Sequence, residues 1–173
     1  MLHKNFSRFF AVLITVCCLF IGCNFNNNIN SSIYNKWVSS YPEYYEVSES
    51  TFINDCYEGN NVTVCPDNGD ETAGYIYFTY TKIYDWSKGQ TDEPEDKDNW
   101  LNSYGTWYPL NEELIGKWYA VRYKNLSSDS VSLSAAYKKA DGKSSADTLE
   151  EAKKEFTVEN GYFASFSECS LAQ

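Results

Sequence analysis

Five acids crowd the stretch TDEPEDKDNW, residues 91–100: Asp92, Glu93, Glu95, Asp96 and Asp98. Carboxylates at that density suit a hard cation such as Ca²⁺, which is held by oxygen ligands. The spacing does not build such a site. An EF-hand loop needs a central glycine for its turn and a closing acid, and neither is present. The stretch therefore reads as a solvated loop, and the same holds for the turn-like DNGDE at 67–71. Histidine is the next residue to ask about, and the chain has one, His3. It lies in a segment expected to be removed. Without it there is no imidazole base, no Ser-His-Asp or Cys-His nucleophile, and none of the usual zinc or iron sites. No Gly-rich phosphate loop and no Gly-x-Ser-x-Gly elbow appears. These absences predict a protein that is not an enzyme and that holds no metal or cofactor.

Cysteine carries the remaining chemistry. Cys23, Cys56, Cys65 and Cys169 follow the leader. Cys56 and Cys65 flank YEGNNVTV, which looks like a turn, so a disulfide between them is expected to staple a hairpin. Cys65–Cys169 is the other pairing, and sequence alone does not choose. A catalytic thiol wants a basic neighbour to lower its pKa, and none of the three has one close in sequence.

The front of the chain says where the protein goes. Lys4 and Arg8 make a basic start, an apolar run from Phe9 to Ile21 follows, and Gly22-Cys23 closes it. This is the layout of a secretory signal. The run is too short to span a bilayer, which takes about 20 residues. FIGC, residues 20–23, resembles the lipobox of bacterial lipoproteins. That resemblance implies cleavage after Gly22 and lipidation of the Cys23 thiol. Anchoring by more than one acyl chain is firm where a single chain is not. The expected location is the cell envelope, anchored to a membrane, with the outer membrane favoured and the domain facing the periplasm or the exterior.

The expected domains are a leader at 1–22, a polar asparagine-rich tether at 23–32, and one globular domain at 33–173. The chain has 14 basic and 24 acidic residues. Lys4 and Arg8 leave with the leader and no acid does, so the remainder carries −12. Such a surface argues against nucleic acid and against electrostatic docking on anionic lipid.

The elements read mostly as β. Aromatics make up 17% of the residues, and they suit a pleated, half-buried surface. Alternation predicts strands over Lys36–Ser39, Tyr44–Ser48, Thr51–Tyr57 and Asn61–Cys65. It continues over 74–86, Trp118–Lys124, Ser130–Lys138 and 161–169. In Trp118–Lys124, Tyr119, Val121 and Tyr123 share the core face, with Arg122 and Lys124 opposite and Arg122 covering the Trp118 ring. In the last segment Tyr162, Ala164 and Phe166 alternate against Phe163, Ser165 and Ser167. One helix interrupts, with Asp147 as its cap, Leu149, Ala152 and Phe156 on its buried face and lysines and glutamates outside. About eight antiparallel strands and one late short helix predict a mainly β fold, a single small barrel. A sandwich is the other arrangement of such strands.

A resemblance adds to this reading. AGYIYFTYTKIYDW (73–86), GKWYAVRYKNLSSDSVSLSAAYKKADGK (116–143) and DTLEEAKKEFTVENGYFASFSEC (147–169) resemble small lipoproteins of treponeme-type spirochaetes. Their N-terminal Gly-x-Trp block corresponds to NKWVSSYPEYYEVSESTF (35–52), with Asn35 in place of glycine. The resemblance implies a lipocalin-like, or calycin-like, barrel. The more conspicuous IGKWYAV at 115–121 is not the first-strand Gly-x-Trp of a lipocalin, because too little chain follows it. It reads as the start of a late strand, released by Gly116. The lipobox, the β pattern and the aromatic residues, not the family resemblance, point to a non-catalytic module for a small apolar or aromatic ligand, with Trp86, Trp107, Tyr119 and Tyr123 as lining residues; the competing reading makes these aromatics the core of the β domain. The alternative is a surface-exposed structural or host-facing antigen with no small ligand.

Overall fold

A computed structural model describes residues 32–40, 43–85, 108–138 and 141–173. Eight strands close into one antiparallel barrel in sequence order, β1 to β8. They are β1 Lys36–Ser39, β2 Tyr44–Val47, β3 Thr51–Asn54, β4 Tyr57–Asp67, β5 Asp70–Ile83, β6 Trp118–Lys124, β7 Ser130–Ala135 and β8 Ser167–Leu171. β1 pairs with β8 through Trp37↔Leu171 and Ser39↔Cys169, so no edge is left open. One short helix, α1, spans Leu149–Glu155, and a 3-10 turn spans Glu112–Leu114.

The inward positions follow the period of two. Trp37, Tyr45, Val47, Phe52, Val64, Ile76, Phe78, Tyr80, Tyr119, Val121, Tyr123, Val131 and Leu133 are all buried. Their registers agree: Ile76 faces Val121 and Phe78 faces Tyr119, and Tyr123 faces Leu133. The outer face of β5 to β7 is also covered. Tyr77, Ala120, Ser132 and Ser134 are buried there. The chain returning from α1 lies over it, with Phe163 edge-on to Tyr75 at 5.6 Å and the Lys124 ammonium 3.9 Å above the Phe166 ring. This second layer explains the aromatic residues on both faces of β5.

Four local expectations need correction. YEGNNVTV is not a turn. It runs within β4, where register shifts at Glu58/Gly59 and Asn60/Thr63 absorb the turn-like residues as bulges. The helix is capped by Thr148, whose hydroxyl accepts from the Glu151 backbone N–H at 3.2 Å. Asp147 instead pairs with Lys117. The last strand starts at Ser167, not at Gly161. Phe163 is left-handed at φ 63°, and Tyr162 and Phe163 are both buried, so alternation is broken there. β7 likewise ends at Ala135, leaving Tyr137 69% exposed.

Candidate functional site

The two ends of the barrel are built differently. At one end the connections are tight: Ser48–Ser50, Asn68–Gly69 and Asn125–Asp129. Asn68 and Gly69 have φ of 51° and 84°, the left-handed pair that a two-residue hairpin turn requires. The Ser48 hydroxyl accepts from the Thr51 N–H at 2.8 Å, and the Ser127 hydroxyl from the Ser130 N–H at 3.0 Å. Ile33 and Leu126 are buried across this end. The Trp37 indole N–H donates to the Ile33 carbonyl at 3.0 Å. We call this the turn end.

The opposite, loop end carries both long connections, 84–117 and 136–166. The first leaves through a bridge between Tyr84 and Leu110, backed by the Asp85 N–H donating to Pro109 at 2.7 Å. The second contains α1. Phe156, just past α1, packs on the inward ring of Tyr119 at 5.6 Å and on Tyr162 at 5.3 Å. The helix therefore closes part of this mouth, and its buried face of Ala152 and Phe156 is the one the sequence pattern indicates.

Between the ends the barrel is packed with rings. Phe52 and Phe78 stack at 4.4 Å, Tyr80 and Tyr119 at 5.1 Å, and Tyr57 lies 5.8 Å from Phe78. Tyr119 and Tyr123, two of the expected ligand-lining residues, are 8% and 2% exposed. They fill the interior as core side chains. Trp86 and Trp107 lie outside the described residues, as do Gly22 and Cys23. Arg122 does not cover Trp118. Its guanidinium sits 5.5 Å from the Tyr75 ring and bonds Asp67 at 3.0 Å.

Concave surface survives on the outer wall near the loop end. A groove of about 180 Å³ is lined by Tyr44, Ile53, Asn54, Asp55, Tyr57, Glu58, Lys82 and Tyr84. The cross-strand row Ile53↔Glu58↔Lys82 runs along it. Lys82 reaches Glu58 at 3.7 Å and the Tyr84 ring at 5.7 Å. Tyr44 is fixed by its hydroxyl on Glu46 at 2.6 Å and by its N–H on Asp55 at 2.8 Å. Burial raises the Asp55 pKa above its ordinary value, against the lowering effect of that N–H. A second hollow of about 180 Å³ lies beside Glu43, Tyr45, Ser134, Tyr137 and Ser167. There Glu43 accepts from Ser167 at 2.9 Å and from Tyr45 at 3.2 Å. Both hollows are smaller than the roughly 300–1,000 Å³ of drug-sized sites. They suit a small ring or a single projecting group. The sequence does not single out this groove, because its residues come from four strands and no motif links them.

The cysteines do not form the expected staple. Cys56 sits in the turn just before β4, and Cys65 lies near the far end of that extended strand. At about 3.3 Å per residue their separation far exceeds the roughly 4.4–6.8 Å between the Cα atoms of a disulfide. Cys65 pairs with Tyr75 on the outer face, whereas Cys169 is buried. Burial, with Asp55 and Glu43 nearby, pushes the Cys56 thiol up to about 11. Burial, with Glu43 and Glu168, pushes Cys169 up to about 12. Both are protonated at neutral pH and poor nucleophiles. Among the described residues no cluster of acids and cysteines could hold a metal ion, and no helix is long and apolar enough to cross a membrane.

The chain gives no significant match to a protein-family model, a curated protein or a solved structure.

Proposed function

We propose that this protein is a lipid-anchored, non-catalytic binding module of the bacterial envelope, and that it binds at the loop end of its barrel. The observation that carries this reading is the difference between the ends. One is sealed by tight turns and buried apolar side chains. The other carries both long connections and the groove between Tyr44 and Tyr84. The filled interior favours contact at this mouth over uptake into the lumen.

The ligand class is a small, flat, apolar or aromatic group. Such a group would stack on Tyr44 above Ile53, with Asp55, Glu58 and Lys82 at the margin as polar contacts. The anchor is Cys23, lipidated after removal of 1–22. The lack of histidine after the leader and the high thiol pKa values of Cys56 and Cys169 support a role without catalysis.

A second reading is favoured by one observation. The lumen is occupied by side chains, which suits a displayed domain that meets other proteins and takes no small ligand. Native mass spectrometry of the protein solubilised from its own membranes separates the two. The first reading expects the acylated chain plus one further small molecule, released on unfolding. The acylated chain alone, in every preparation, contradicts it and leaves the second. A chain of unmodified mass contradicts the anchor itself. Cys23→Ser should move the protein from the detergent phase to the aqueous phase; continued detergent partition contradicts lipidation.

A further inference from the structure

Both termini of the barrel leave from the same end. Ile33 is buried at the turn end and precedes β1. The Val47 N–H donates to the Asn35 carbonyl at 2.9 Å, so the entering chain is tied to the end of β2 beside the Ser48–Ser50 turn. At the other terminus the Leu171 N–H donates to Asp129 at 2.8 Å and the Ala172 N–H to Lys36 at 2.9 Å. Asp129 lies in the β6–β7 turn, so the C-terminus lies at this end too.

We infer that the barrel stands on the membrane by its turn end, with the loop end pointing away. This rests on the proposal that Cys23 is lipidated. Ten residues, 23–32, link the anchor to the domain. A flexible chain of that length has a root-mean-square span of about 17 Å and a limit of about 35 Å. β5 runs from one end of the barrel to the other with 14 residues, which at the usual strand tilt of about 35–45° spans about 35 Å along the barrel axis, about twice the typical span of the tether. The tether is thus short against the domain it holds, and the point of attachment sets which end lies near the lipid.

The charges at the turn end fit a domain held beside the surface without docking on it. Lys36, Arg122 and Lys124 are there, with Glu46, Glu49, Asp67, Asp70, Glu71 and Asp129, and Arg122 is paired with Asp67. Lys36 is already paired with Glu46 at 2.9 Å. The net acid excess repels anionic headgroups within a Debye length of about 8 Å. The groove at Tyr44 and Tyr84 then faces the aqueous compartment, open to a soluble or opposing partner and turned away from the protein's own lipid. A ligand extracted from the anchoring membrane would have to travel the length of the barrel to reach it.

The test uses the full lipidated chain in phospholipid vesicles whose headgroups carry a nitroxide quencher. A fluorescent amino acid is placed at exposed Ser128 in the turn end, or at exposed Ser144 in the loop end. Asp129 and Lys143 serve as a second pair if either variant fails to fold. The expected result is co-flotation with the vesicles and quenching at the turn end at least about twofold stronger than at the loop end, as the short tether requires. Co-flotation with equal or reversed quenching overturns the orientation and leaves the anchor standing. Loss of flotation overturns the anchor, and the orientation with it.

Discussion

The turn end and the loop end of this barrel are made from the same strands, yet they spend their residues differently. At the turn end local chemistry dominates. Asn68-Gly69 takes its left-handed turn, two serines cap their own hairpins, and Trp37 is fully buried with its indole N–H satisfied by Ile33. At the loop end half-exposed carboxylates sit among tyrosines that range from half-buried, Tyr44 and Tyr57, to buried, Tyr45 and Tyr84. Glu43, Asp55 and Glu58 lie among Tyr44, Tyr45, Tyr57 and Tyr84. Burying polar groups in part costs stability unless each finds a partner. The turn end keeps one half-buried ion pair, Arg122–Asp67, while the loop end gathers several carboxylates around its hollows, so presenting a surface falls mainly to the loop end.

Alkali gives the largest expected test of this contrast. Cys56, Tyr57, Tyr80 and Tyr119 sit toward the loop end with pKa values raised first by burial; Tyr75 and Tyr123 are raised in the same way toward the turn end, so the loop end leads through Cys56, the thiol of the set. A group whose folded pKa is raised contributes stability that is whole below its unfolded pKa and lost as pH rises through the folded one. The loss should begin near pH 9, the ordinary thiol value, and grow through about 11 as Cys56 titrates. Hydrogen exchange across pH 8–11 should show β5, β6 and the α1 segment loosening before the β4–β5 and β6–β7 turns. Uniform loosening would break the comparison.

Trp37→Ala is expected to cost about 3–5 kcal/mol, the usual range for emptying a large aromatic site. Denaturant unfolding reads it directly, and a cost below about 1 kcal/mol would mean that the turn end is not sealed by this ring. Gly69→Ala places a Cβ at φ 84° and should cost about 1–2 kcal/mol, although nothing lies within 4 Å of the new atom. The smallest stability change belongs to the loop end. Tyr44→Ala removes a half-buried ring of the groove and should cost about 1 kcal/mol, in the usual range for single substitutions. It should nevertheless abolish retention of any co-purifying small molecule. Asp55→Asn should slightly stabilise the protein above the carboxylate range. The amide can still accept from the Tyr44 N–H and no charge is buried.

Much of the barrel was legible because alternation and turn chemistry are local. Tyr119, Val121 and Tyr123 fall on one face of β6, and Asn68-Gly69 marks a turn from its residue types alone. The errors fell where non-local packing overrules local preference. Gly59 and Asn61 look like turn residues, but Gly59 sits where a Cβ would collide with the Phe78 ring and the Thr79 carbonyl, so the strand needs glycine there. Tyr162 and Phe163 break alternation because one packs on Phe156 and the other on Tyr75. Alternation puts Tyr119 and Tyr123 on the core face, and the ring contacts across the lumen decide between filling it and lining a ligand space within it. The groove could not be found from spacing, since Tyr44, Ile53, Glu58 and Lys82 meet only once the strands are in register.

The division between the ends is tested most directly by hydrogen exchange on two samples of the same lipidated chain. One is taken as isolated from its membranes, and the other is unfolded, stripped and refolded. The account predicts added protection in the isolated sample confined to 43–45, 53–58 and 82–84, with 48–50, 68–69 and 125–129 unchanged. Added protection at those turns, or identical exchange in the two samples, would contradict it.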